Sequence, residues 1–86
     1  MPNQPDQTEI LARLRRVVPD RVDVDPSLLV PEALLADIGI DSFALIELVF
    51  VAEEEFKVAI PLDGLRPRTV GDVVEIIERR ISVAAN

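Results

Sequence analysis

The sequence predicts an all-α fold: a small four-helix-type bundle made of three main helices plus short helical turns, with a long first loop. Three observations lead there. Apolar residues recur at helical spacing in three stretches, Ile10 to Val18, Phe43 to Phe56 and Val70 to Ile81. Proline and glycine cluster between them: Pro19 closes the first stretch, and Phe43 to Phe56 contains neither residue. Three Phe with no Tyr or Trp leave Leu, Ile and Val to build the core, which suits a helical bundle. At 86 residues the chain has room for a single domain, 1–86, close to the lower size limit for independent folding.

Met1 to Pro5 reads as a frayed start. Asp6 followed by Glu9 is a capping pair for a helix whose inner stripe is Ile10, Leu11, Leu14, Val17 and Val18, and whose other face holds Arg13, Arg15 and Arg16. From Asp20 to Leu29, Asp and Pro predominate, and a long ordered loop pinned by Val22, Val24 and Leu28 is expected. Pro31 can open a short helical turn through Ala36, with Leu34, Leu35 and Ile38 facing inward before Gly39 ends it.

The second main helix spans Ser42 to Phe56, with Asp41 as its N-cap. It is apolar round more of its circumference than one core can cover, so some of Phe43, Leu45, Ile46, Leu48, Val49, Phe50 and Val51 must be exposed or line a cavity. Lys57 to Arg68, broken by Pro61, Gly64 and Pro67, reads as irregular, with room for one turn near Leu62 to Leu65. Thr69 and Asp72 then cap a last helix with the stripe Val70, Val73, Val74, Ile77 and Ile81. Arg79 and Arg80 fall in its final turns, where cations complement the helix dipole, and 82–86 reads as a frayed tail.

Composition excludes several functions. A net charge of −7 disfavours nucleic acid and anionic membrane surfaces and favours partners with basic surfaces. The absence of Cys removes disulfides, thiolate catalysis and cysteine-bound zinc, and the absence of His removes the commonest general base and metal ligand. No apolar run reaches the length of a membrane span and no secretory signal is visible, so a cytoplasmic setting is expected. Asp20 to Glu32 fails as an EF-hand loop, because Leu28 stands where the turn glycine belongs and Leu34 where the final glutamate belongs. Acidic clustering at Asp37, Asp41 and Glu47 leaves open a weak divalent site, although no metal is assigned.

Ser42 is the residue that carries the functional expectation. Asp-Ser pairs open many helices as caps alone. A helix N-terminus also presents unpaired N–H groups and a partial positive charge, so a phosphate esterified to Ser42 would be well held there. As a catalytic nucleophile Ser42 lacks a base, since the sole lysine, Lys57, lies a helix length away. Its hydroxyl reads instead as an acceptor in a reaction catalysed by another enzyme, and the chain is not expected to be an enzyme.

The string Leu35-Ala36-Asp37-Ile38-Gly39-Ile40-Asp41-Ser42-Phe43, followed by Ile46-Glu47-Leu48-Val49, Glu53-Glu54-Glu55-Phe56, Ile60-Pro61 and Thr69-Val70-Gly71-Asp72, resembles the acyl carrier protein family over about Leu34 to Ile81. The resemblance implies that a phosphopantetheinyl transferase moves 4′-phosphopantetheine from coenzyme A onto Ser42, and that the arm's thiol carries an acyl or aminoacyl group as a thioester. It also implies docking through the helix after the serine, with Asp37, Asp41, Glu47, Glu53 and Glu54 as electrostatic contacts and Phe43, Ile46 and Phe50 as apolar ones. Partners would be the transferase and acyl-loading, acyl-transferring or condensing enzymes with basic surfaces, met by a monomer. Phe43 replaces the usual Leu, Phe50 replaces Met or another aliphatic residue, and the connection after Pro61 carries Arg66 and Arg68 instead of acids. These departures point to a freestanding carrier of a polyketide-type or related natural-product pathway; a fatty-acid or peptidyl carrier is the alternative within the family. Outside it, the rival is an unmodified acidic helical adaptor that binds through Ile46, Phe50 and the glutamate run.

Overall fold

In the computed structural model, which describes residues 4–84, three α-helices are joined by three single 3-10 turns, with no strand among the described residues. Helix α1 is Gln7–Val17, α2 is Ser42–Phe56 and α3 is Val70–Ala84. α1 packs against both α2 and α3, and one core of Ile, Leu, Val and Ala lies between them.

Asp6 starts α1 as the sequence predicts, its Oδ1 accepting from the Glu9 N–H at 2.8 Å. The α-helix stops at Val17 and tightens into a 3-10 turn, Val18–Asp20, which takes Pro19 at its start because that position needs no N–H. The charged face of α1 is not simply solvated. Arg13 is half-buried: its Nε meets Glu55 Oε2 at 2.9 Å, and its guanidinium lies 4.4 Å from the centre of the Phe56 ring. Arg15 donates from Nε to the Leu29 carbonyl at 2.9 Å.

Val22 and Val24 pin the first loop as expected, but Leu29 is buried where Leu28 was expected, and Leu28 is 44% exposed. The reason is an uncounted turn. Asp25 Oδ1 accepts from the Ser27 N–H at 2.9 Å and from its hydroxyl at 2.8 Å, closing a 3-10 turn over Pro26–Leu28 that rotates Leu29 inward. The same bonds hold the Asp25 carboxyl below its ordinary value.

A second correction concerns Leu34, which is 42% exposed although Leu35 is buried. The helical turn lies later than expected, at Ala36–Ile38. Residues before it lie alongside the approach to α3: Leu35 N–H donates to the Arg68 carbonyl at 2.9 Å, Val70 N–H to the Ala33 carbonyl at 2.9 Å, and Leu34 bridges Thr69. Leu35, already in the helical conformation (φ −56°, ψ −41°), is buried, while Leu34, bridged to Thr69, is left on the outside.

Beyond α2, Lys57 adopts the left-handed conformation (φ 56°) and ends the helix. The connection to α3 is irregular as expected, with one turn closed by Leu65 N–H donating to the Leu62 carbonyl at 2.9 Å. Buried Ile60 ties it down, its N–H donating to Glu53 Oε2 at 2.7 Å. A reciprocal cap opens α3: Asp72 N–H donates to Thr69 Oγ1 at 3.0 Å, and Asp72 Oδ2 accepts from Thr69 N–H at 3.1 Å and Arg68 N–H at 2.9 Å. These donors, the two backbone N–H groups above all, hold the Asp72 carboxyl below its ordinary value. α3 runs to Ala84, so 82–84, read as tail, are helical, and Arg79 and Arg80 lie short of its last turn. Arg79 pairs instead with Glu75 at 3.1 Å and Arg80 donates to the Ala59 carbonyl at 2.9 Å. The frayed start assigned to Met1–Pro5 and the end of the tail lie largely outside the described residues.

Candidate functional site

Ser42 is the first residue of α2 and is exposed. Three neighbours fix it there. Gly39, at φ 83°, makes the left-handed turn that ends the Ala36–Ile38 segment. Buried Ile40 anchors the chain in the core and donates its N–H to the Leu35 carbonyl at 2.9 Å. Asp41, extended, caps α2 by accepting from the Ala44 N–H at 2.9 Å, while its carbonyl accepts from Leu45 N–H at 2.8 Å. The N–H groups of Ser42 and Phe43 have no partner among the described residues, so the helix start presents donors beside the hydroxyl.

Beside Ser42 opens a cleft of about 450 Å³. Leu34, Leu35, Ile40, Leu45 and Pro67 make it mainly apolar, and Arg68 is the one cation in its lining. The outward turn of Leu34 thus has a consequence, because it supplies part of that wall. The cleft was not legible in the sequence, which joins residues from the two ends of the Leu34–Arg68 span only through the bridge to α3. The signal that existed was chemical: Arg66 and Arg68 stood out as unexpected cations.

Of the expected docking residues, α2 brings Phe43, Ile46 and Phe50 onto one exposed stripe, at 72%, 43% and 51% exposure. Glu47 is half-buried on the same helix, and Asp37 is exposed on the turn before Gly39. Glu54 faces solvent with Arg21 as partner at 3.1 Å. Glu53 differs from these, since its carboxylate is occupied by the Ile60 N–H. Asp37, Asp41 and Glu47 form no cluster able to hold a cation among the described residues.

The chain has no His or Cys, Lys57 caps the far end of α2, and the adjacent Asp41 carboxylate is engaged by the Ala44 N–H. Ser42 is thus an exposed serine at a helix start beside a mainly apolar cleft. Residues 12–77 match the family described as phosphopantetheine attachment site. The chain is 39% identical over 79 residues to an acyl carrier protein of Thermosynechococcus vestitus, covering 90% of this chain and 98% of that one. It is 38% identical over 76 residues to an acyl carrier protein of Phenylobacterium zucineum, covering 86% and 96% respectively. The chain belongs to the acyl carrier protein family.

Members of this family are carriers, not catalysts, and hold 4′-phosphopantetheine covalently. They work with phosphopantetheinyl transferases and acyl-handling enzymes. The residues around Ser42 fit such a group: a free hydroxyl, unpaired N–H donors for a phosphate, and a cleft with apolar walls. Among the described residues no helix is long and apolar enough to cross a membrane.

Proposed function

We propose that Ser42 is the attachment residue and that the chain acts as a discrete, single-domain carrier of a specialised pathway of polyketide type, in the cytoplasm. The observation that carries the attachment reading is the placement of Ser42: exposed, first in α2, inside the matched segment, with free N–H donors beside it. Support for a discrete carrier comes from relatives covered over almost their whole length. The polyketide-type reading rests on Phe43, Phe50 and the cationic 61–68 connection.

Bound to Ser42, the group supplies a long arm ending in a thiol that holds acyl groups as thioesters. The chain's own part is positioning. The Asp41 cap and the Gly39 turn position the hydroxyl, and its proton passes to a base of the visiting transferase, since the adjacent Asp41 carboxylate is engaged as the cap. Asp37, Asp41, Glu47 and Glu54 steer partners with basic surfaces, while Phe43, Ile46 and Phe50 supply the apolar contact. Glu53 belongs to this set by charge, though its bond to Ile60 gives it a second, structural task.

Intact mass after incubation with coenzyme A, magnesium and a promiscuous transferase tests the attachment. One phosphopantetheine gained by the parent and none by Ser42→Ala is the expected result. No gain in a folded parent would refute it, and gain in both would place the attachment elsewhere.

A further inference from the structure

We infer that Arg68 is an anion-binding residue for the loaded arm, taking an anionic oxygen of the phosphodiester on Ser42 or of a carboxylate in the cargo. The inference rests on Ser42 as the attachment residue. Ser42 and Arg68 line the same cleft of about 450 Å³, whose other walls are mainly aliphatic. Arg68 itself is exposed, so the contact it offers an entering anion is weakened by salt.

Arg68 is held there by its main chain. Its carbonyl accepts from Leu35 N–H at 2.9 Å and its N–H donates to Asp72 Oδ2 at 2.9 Å, fixing the backbone on both sides. Its guanidinium makes no hydrogen bond or ion pair among the described residues, unlike those of Arg13, Arg15, Arg21, Arg79 and Arg80; Arg16 and Arg66 are also without such a partner, but of these three only Arg68 lines the cleft beside Ser42. Of the nearby carboxylates, Asp41 lines the same cleft and Asp72 is close enough to feel the Arg68 charge, but each is engaged as a helix cap and neither forms an ion pair with Arg68 among the described residues. Its five N–H donors therefore have no acceptor among the described residues, and a phosphate or carboxylate is the group that matches them.

The test uses full-length protein labelled with ¹⁵N-arginine. The Nε–Hε resonance of Arg68, assigned by its loss in Arg68→Gln, is followed in the apo, holo, butyryl-loaded and malonyl-loaded states, with loading verified by mass. Because the main chain of Arg68 makes both structural bonds, the Gln variant keeps them. A shift of the Arg68 resonance from apo to holo, weakened by molar salt, identifies the phosphodiester as the source. A shift seen with the malonyl form and not with the holo or butyryl form identifies a cargo carboxylate. A resonance unmoved in all loaded states overturns the role of Arg68 while leaving attachment intact. An equal movement of exposed Arg66, or a shift common to butyryl and malonyl and absent from holo, also overturns it. Failure to gain mass overturns the attachment reading itself and this inference with it, so the two failures are distinct.

Discussion

Replacing Asp41 separates the two tasks assigned to it, holding the start of α2 and attracting partners. In Asp41→Ala the Ala44 N–H loses its 2.9 Å acceptor, while the main-chain bond from Leu45 N–H to residue 41 remains. Loss of one such cap destabilises by about 1 kcal/mol. For a domain of this size that is a fall in Tm of roughly 4–8 °C. Asp41→Asn keeps an acceptor oxygen at the same reach, and Asn caps about as well as Asp, so its Tm is expected within about 2 °C of the parent. Both variants lose the charge. If the carboxylate also steers the transferase, both load more slowly at low salt, by a few-fold, and the difference shrinks as salt rises. Thermal circular dichroism and initial loading rates by mass, at two ionic strengths, read the two effects separately. An unchanged Tm in the Ala variant would refute the cap. An Asn variant as unstable as the Ala variant would assign the effect to charge at the helix start. Loading of the Asn variant at the parental rate would remove Asp41 from the docking surface.

Two other perturbations test the frame that holds the site. A Cβ added at Gly71 would stand 2.9 Å from the Pro31 carbonyl oxygen, which also accepts the Gly71 N–H at 2.9 Å, so Gly71→Ala must push α3 off the Pro31 segment. The gain in helix propensity of about 1 kcal/mol is outweighed by overpacking, and a net loss of about 1 kcal/mol is expected in urea unfolding; an equal or higher midpoint would show that the contact relaxes freely. Asp72 supplies a pH test. Its carboxyl lies below the ordinary value of 3.8 in the fold, so its contribution is present above that value and is lost as pH falls through the lower folded one. The urea midpoint of the parent should therefore drop more steeply below pH 3.8 than that of Asp72→Asn, and parallel curves would refute the assignment.

What the sequence made legible is what neighbours in the chain decide. Asp6, Asp41 and the Thr69–Asp72 pair cap helices through bonds spanning three residues, and Gly39 turns left-handed because of what it lacks. The excess of apolar residues on α2 likewise announced that part of the helix would be exposed, and Phe43, Ile46 and Phe50 are that part. The misassignments, Leu28 for Leu29 and Leu34 inward, have another origin. One depends on the 3-10 turn over Pro26–Leu28, where Asp25 accepts from Ser27, and the other on the bridge from Leu34 to distant Thr69. Arg13 was placed on a polar face by its spacing, yet only tertiary packing brings Glu55 and the Phe56 ring to it. Periodicity locates a face and does not say what meets it.

The same pairing that turns Leu34 outward also builds the site. Three main-chain bonds, Leu35 to Arg68, Val70 to Ala33 and Gly71 to Pro31, stitch the approach to α3 onto the segment that leads into Ser42. Backbone bonds of this kind do not depend on which side chains they carry, so the cleft keeps its place while its lining is free to vary. In this chain the variation puts Leu34, Pro67 and Arg68 around an aliphatic floor. The proposed attachment serine and the lining of the cleft beside it are thereby separable: the first is set by a local cap and turn, the second by what the long-range stitch brings alongside. The docking surface proposed above is a third region, the exposed stripe of α2, which shares its helix with the serine but turns away from the core. A substitution in the 61–68 connection should accordingly change how the arm and its load sit without changing whether Ser42 is modified.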